Sequence, residues 1–473
     1  MTGLVAHHPA RRWRWVSWIA IAVAVVVIAV AIWLHEPDKS GVAGGYPGTP
    51  DPALVRQGAY VARLGDCAAC HTAIGGKLYA GGLAVESPIG VIRSSNITPD
   101  TETGIGRYSF ADFDRAIRHG IRKDGTSLYP AMPYPAFARL SDGDMLALYA
   151  YFMKGVPAVA HANVGNGIVW PLSMRWPLAV WRKQFWPKPT PMAGGTGDAA
   201  LVARGEYIVT GPGHCGSCHT PRGAMLQEKA ADARGGPDFL AGGTVIDGWV
   251  VPSLRGNMRD GLGRWSQDDI AEFLKTGRID NTAVFGGMTD VVAWSTQHLT
   301  DRDRQSVAAY LKSLPASPDP AGRQPMQVAA AGRAPYEKHC AICHTSDGSG
   351  VPLMFPALRQ SSVIATADPR SLIKMVLEGA TLPPTNRAPS AVAMPGFADQ
   401  LSDAQVADIV NYIRTNWGNA TPANATPRLV GQVRKDAPGQ PSVTAEWRLF
   451  APQPVGSGWS FAPQSHAAHD GAR

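Results

Sequence analysis

Cys67-Ala-Ala-Cys70-His71, Cys215-Gly-Ser-Cys218-His219 and Cys340-Ala-Ile-Cys343-His344 account for all six cysteines of the chain. The C-x-x-C-H spacing is the attachment signature of a c-type haem. On one helical turn, residues i and i+3 share a face, so both sulfurs reach one porphyrin edge as thioethers. The histidine that follows sits beneath the ring, where its imidazole can ligate iron. The competing chemistry is a zinc or dithiol-redox site, since Cys-x-x-Cys marks those as well. Zinc would have to pool ligands from motifs more than a hundred residues apart, with no local second pair. Three matches with no cysteine left over point to covalent haem at Cys67, Cys70, Cys215, Cys218, Cys340 and Cys343, with His71, His219 and His344 as axial ligands.

A second axial ligand is sought among thirteen methionines, most of which must be core filler. A thioether favours ferrous iron and gives a relatively high-potential electron-transfer haem. Register selects Met132, Met288 and Met394. Each precedes a Leu by seven to eleven residues (Leu140, Leu299, Leu401), and each Leu precedes a Tyr by eleven (Tyr151, Tyr310, Tyr412). Between them, Ser141, Thr300 and Ser402 read as N-caps of a closing helix, with Gln405 completing a capping box. Met288 lacks the proline that follows Met132 and Met394, and Met258 is its rival. His119, His161 and His298 read as surface or core residues, with bis-histidine ligation as the alternative.

The elements that must position these groups repeat as well. A helix is expected over Pro52 to Leu64, with Leu54, Gly58, Tyr60 and Val61 as a packing face; Leu201, Gly205, Tyr207 and Ile208 repeat it, and a third unit opens near Gly332 and Tyr336. The fold expected is mostly α: three tandem class I cytochrome c domains behind an N-terminal transmembrane helix. The boundaries read 1–15 basic N-terminus, 16–34 transmembrane helix, 35–51 tether, 52–157 first domain and 158–198 aromatic and Pro-rich connector. They continue as 199–315 second domain, 316–330 linker, 331–418 third domain and 419–473 tail. The connector's tryptophans read either as packing between domains or as a surface for a membrane or partner. The tail, rich in Pro, Gly and Ala, reads as disordered or as an extended arm docking on another subunit.

Val16 to Leu34 carries no charge and holds eleven Val, Ile and Leu residues. Its nineteen residues span about 29 Å as a helix, close to a hydrocarbon core of about 30 Å. Arg11, Arg12 and Arg14 keep the N-terminus cytoplasmic and export the rest, so the haem units are expected on the periplasmic side of a bacterial inner membrane. A cleaved signal peptide is the alternative, but its apolar region usually runs shorter. A net charge of +7 is modest for 473 residues, and no basic run with interleaved aromatics suggests nucleic acid.

Asn96-Ile97-Thr98-Pro99-Asp100, Thr103-Gly104-Ile105-Gly106, Arg118-His119-Gly120, Leu128 to Tyr134 and the Trp176-Pro177-Leu178 connector resemble the triheme cytochrome c subunits of membrane-bound alcohol, aldehyde, gluconate and fructose dehydrogenases. The resemblance covers about residues 52–418. It implies a catalytic partner subunit of quinone, flavin or molybdenum type, electron passage through three haems, and reduction of membrane ubiquinone, with no substrate chemistry in this chain. The retained N-terminal helix and the absence of an apolar C-terminal segment lean toward the aldehyde dehydrogenase type, whose partners include a small iron–sulfur subunit. Two other functions stand against this one: a membrane-tethered cytochrome shuttle to a terminal oxidase, and a multihaem peroxidase, which needs an open iron position.

Overall fold

A computed structural model describes residues 17–25, 29, 51–186, 196–317 and 328–436. The first opening helix, Pro52–Leu64, starts where Asp51 accepts a bond from the Ala53 amide and Pro52 occupies the first turn. Proline suits that place because its fixed φ is already helical and its missing N–H has no partner to lose. Gly58, Val61, Ala62 and Leu64 form its buried face. Gly58 is there because another helix crosses it: a Cβ at this position would lie 1.9 Å from the carbonyl oxygen of Ala147.

The crossing helix is the closing helix of the first segment, Asp142–Ala150, capped by Ser141, whose hydroxyl accepts from the Asp144 amide. The same arrangement recurs twice. In the second segment Asp198–Thr210 crosses Asp301–Ser313, with Gly205 against Ser306 and Thr300 as N-cap. In the third, Gly332 lies against Asp408 of the closing helix Asp403–Thr415, and Ser402 forms a capping box with Gln405. The three closing-helix caps fall where the sequence places them.

Between opening and closing helices each segment inserts a middle helix: Phe110–His119, Gln267–Thr276 and Arg370–Glu378. Each ends at a glycine of positive φ (Gly120, Gly277, Gly379), which turns the chain back toward the methionine loop. The strands are short and antiparallel. Ala84–Val85, Gly90–Arg93 and Gly167–Ile168 make a three-stranded sheet, registered Ala84 with Arg93 and Gly90 with Ile168. Three two-stranded pairs complete the set among the described residues.

Two boundaries differ from the sequence expectation. Residues 159–168 are stitched to the first segment rather than free as connector: the Asn96 side chain donates to Val159 O at 2.8 Å, and Asn163 Oδ1 accepts from the Asn96 amide at 2.7 Å. Residues 419–436, expected as the start of a tail, close the third segment. The helix Pro427–Asp436 buries Val430 and Val433, and Arg434 binds Asp403 at 2.9 Å. Its apolar residues are few but spaced to one face, which outweighs a polar average composition. Residues 437–473 lie outside the described residues, and so does most of the Val16–Leu34 segment, of which 17–25 is helical. Among the described residues, no helix is long and apolar enough to cross a membrane.

The connector tryptophans divide between the two expectations. Trp181 donates to Met225 O at 2.8 Å and Trp186 to Arg118 O at 3.0 Å, so both pack between parts of the protein. Trp170 and Trp176 are exposed.

One hydrophobic cluster runs through the first and second segments, from Val61 and Phe113 to Tyr207, Phe239 and Leu311. The third segment has its own, built on Tyr336, Ile373, Val406 and Ile409. A small cluster of Val284, Val292 and Leu382 joins the second to the third.

Candidate functional site

Each C-x-x-C-H sequence forms a single turn: Cys67–His71, Gly216–His219 with Cys215 as N-cap, and Ala341–His344 with Cys340 as N-cap. None of the six cysteines is joined in a disulfide. Burial pushes the Cys67 and Cys215 thiols up to about 12 and that of Cys340 up to about 11. A zinc or redox thiol needs the opposite, an environment that favours thiolate. Among the described residues no three His, Cys, Asp or Glu side chains gather as a metal cluster, so the zinc alternative has no ligand set there. A thioether carries no charge and suits such surroundings.

The histidines are held by the same device three times. His71 Nδ1 bonds Ser95 O at 2.7 Å, His219 Nδ1 bonds Pro252 O at 2.9 Å, and His344 Nδ1 bonds Pro356 O at 2.9 Å. A carbonyl only accepts, so Nδ1 carries the proton and the neutral ring presents its lone pair at Nε2. Burial lowers the pKa of all three rings, that of His219 to about 4, which keeps them neutral and ready to ligate.

The carbonyl of each histidine is held in turn. Gly81 N donates to His71 O at 2.8 Å, Gly242 N to His219 O at 2.8 Å, and Gly350 N to His344 O at 3.1 Å. All three glycines have positive φ, and a Cβ on any of them would strike the peptide that receives the Nδ1 proton: Ser95 C at 2.4 Å, Pro252 C at 2.6 Å, Pro356 O at 2.8 Å. Glycine is required here for close approach as much as for backbone freedom. Sequence reasoning missed this clamp. The accepting carbonyls belong to one serine and two prolines at unequal distances from their motifs, and only a glycine downstream of each motif hints at them.

Met132 and Met288 are half-buried against the core of the first two segments. Met394 is half-buried on the strand Ala393–Met394, paired with Ala380–Thr381. Met258, the rival of Met288, is 62% exposed. Met288 opens the helix Met288–Trp294, which packs on the Cys67–His71 turn of the first segment.

The first two motifs therefore adjoin. His214, one residue before the second motif, places Nε2 3.3 Å from Gly65 O beside the first, and its ring meets Phe137 edge-on at 5.6 Å. The Asp66 carboxyl is raised by burial and then by Asp290 of the facing helix. His214 and Asp66 lie outside the motifs themselves, each immediately before its first cysteine, and their unlike side chains give no sign of a shared role.

The residues fit a c haem at each motif. The donor set at each motif is a neutral imidazole with an oriented proton and two cysteines on one turn, and Met132, Met288 and Met394 are the soft thioethers that follow in sequence.

The cytochrome c family model matches residues 202–315 and 329–417. The cytochrome c subunit of alcohol dehydrogenase (quinone) from Gluconacetobacter polyoxogenes is 56% identical over 440 residues, covering 89% of this chain and 94% of the relative. Its counterpart from Gluconobacter oxydans (strain 621H) is 53% identical over 441 residues, covering 89% and 92%. The gluconate 2-dehydrogenase cytochrome c subunit of Pantoea cypripedii is 52% identical over 397 residues, covering 81% and 90%.

Proposed function

Since the chain belongs to the cytochrome c subunits of dehydrogenase complexes, we propose that it holds three c haems and carries electrons from a catalytic subunit to membrane ubiquinone. The supporting observation is the histidine clamp, built three times with the same atoms. Covalent attachment falls to Cys67 and Cys70, Cys215 and Cys218, and Cys340 and Cys343. His71, His219 and His344 are the proximal ligands, and Met132, Met288 and Met394 the distal ones. The exposure of Met258 favours Met288 in the second segment.

A bound haem supplies one-electron chemistry between ferric and ferrous iron. The chain's own residues do the rest. Ser95, Pro252 and Pro356 fix each imidazole's tautomer and raise its basicity through Nδ1. Met132, Met288 and Met394 offer a soft ligand that favours the ferrous state.

The names of the relatives favour an alcohol-oxidising partner of quinone type over the aldehyde type with its iron–sulfur subunit. The uncharged Val16–Leu34 run behind three arginines supports a retained anchor in a bacterial inner membrane, with the haem segments on the periplasmic side. A distal methionine in each segment weighs against a peroxidase.

Pyridine haemochrome analysis and intact mass should return three haems per polypeptide; fewer would refute the assignment. Replacing Met132, Met288 or Met394 should shift the potential of one haem and slow reduction of a ubiquinone analogue. Substrate oxidation by the partner with an artificial acceptor should survive. Loss of that partner activity in an assembled complex would overturn the division of labour.

A further inference from the structure

Tyr60 and Tyr207 occupy the same place in the opening helices of the first and second segments, two residues after Gly58 and Gly205. Each phenol leaves its own segment and enters the other. Tyr60 accepts from the Thr300 amide at 3.1 Å and donates to Asp303 at 2.6 Å. Tyr207 accepts from the Ser141 amide at 3.1 Å and donates to Asp144.

The chemistry of the two insertions is identical. In a capping box, the residue at the third helical position accepts from the amide of the N-cap residue. The third segment has that closed form, with the Ser402 amide donating to Gln405 at 3.0 Å. In the first two segments the box is open, and the other segment's phenol stands between amide and carboxylate. The remaining oxygen of each aspartate is held from within its own segment, Asp144 by Gln57 and Asp303 by Arg204. The third segment has Ala334 at the tyrosine's position, exposed and without a hydroxyl.

Each opening helix runs almost directly into a haem motif: Leu64 is followed by Cys67, and Thr210 by Cys215. A phenol anchored on the neighbouring closing helix therefore fixes how far one motif slides past the other. The motifs already touch through His214 and Gly65.

We infer that Tyr60 and Tyr207 are positioning residues which, through reciprocal insertion into each other's helix caps, fix the relative placement of the first two haems and so set the rate of electron exchange between them. The step moves one electron from the ferrous iron of one segment to the ferric iron of the other; no bond is made or broken and no proton moves. This inference rests on the reading that the first two motifs carry haem.

The test uses the full-length holoprotein with Tyr60→Phe, Tyr207→Phe and the double substitution, at a temperature where all are folded. Haem count and the absorption and potential of each haem check the underlying reading, and should be unchanged in the variants. The split Soret circular dichroism that adjacent haems produce should fall at least twofold in the double variant. Haem-to-haem exchange after photoreduction should slow at least threefold, with the single variants intermediate. An undiminished couplet and rate in the double variant would overturn the inference. A wild-type protein lacking haem at either of the first two motifs would overturn the earlier reading instead. Should the double variant lose haem, Tyr207→Phe alone, with the Tyr60 insertion intact, carries the same comparison.

Discussion

The first and second segments meet through different materials from the second and third. At the first junction a hydrophobic cluster continues from one segment into the next, Arg139 and Asp232 pair at 2.9 Å with both side chains only 10% exposed, and two phenols are exchanged. At the second junction the contacts are mainly polar. Arg278 reaches Pro383 O at 3.3 Å and Ser390 O at 2.9 Å, Ser371 accepts from the Val250 amide at 2.7 Å, and Lys374 lies 5.4 Å from the centre of the Trp249 ring. Arg387 and Glu272 form a surface pair worth at most about 1 kcal/mol. Apolar burial is the dominant favourable term in folding. A junction that continues the core makes one cooperative unit, whereas a polar junction docks two finished ones.

Cutting the chain tests this contrast most severely. A protein ending at residue 317 should fold and retain the haems proposed for its two segments, because its core is complete. One that starts at residue 196 should fail to form a stable second segment, whose half of the common core would be bare. Haem content and thermal melting of the two products would settle the matter, and equal stability would break the contrast.

Next in size are single methyl groups. A Cβ at Gly205 meets Ser306 O at 1.9 Å, and one at Gly332 meets Asp408 O at 2.0 Å. Each Gly→Ala change should cost about 3 kcal/mol through forced separation of crossing helices. In calorimetry, Gly205→Ala should lower one transition containing both first segments, and Gly332→Ala only that of the third.

Arg278→Met should weaken docking of the third segment by about 2 kcal/mol, since it strips a charged donor from carbonyls across the junction. The third segment's own melting should stay where it is, read by limited proteolysis beside melting.

Acid gives the smallest effect. Burial acts to raise Asp303, but donation by Arg204 and Tyr60 outweighs it and holds the carboxyl below its ordinary value. A depressed carboxylate contributes stability above its unfolded pKa of about 3.9, lost as pH falls through the folded value. The Asp303 contact of the first junction should therefore loosen below about pH 4, by less than about 1 kcal/mol, and Asp303→Asn should remove that share of the dependence, leaving the share of Asp232 beside Arg139. The third segment's capping box uses Gln405, which does not titrate, so the box itself adds no such contribution.

The three C-x-x-C-H motifs were legible because the chemistry they imply demands fixed spacing within a few residues. The caps Ser141, Thr300 and Ser402 were legible for the same reason, and the helix Pro52–Leu64 because Pro and a periodic face mark it. The Nδ1 acceptors were hidden: Ser95, Pro252 and Pro356 contribute only a backbone carbonyl, which any residue possesses, at separations of 24, 33 and 12 residues. Tyr60 and Tyr207 stood out as a repeated packing face, yet the sequence carries no sign that each would leave its own segment. The helix Pro427–Asp436 was masked by surroundings rich in Pro and Ala, although Val430 and Val433 share a face.

At Ala334 the third segment presents a methyl group where its predecessors present a phenol, and its Ser402 cap closes on itself. A unit sealed by its own side chains can be gained, lost or replaced in a lineage without its neighbour changing in step. Two units that lend each other a hydroxyl must be inherited as a couple, and a substitution tolerated in one is judged by the other.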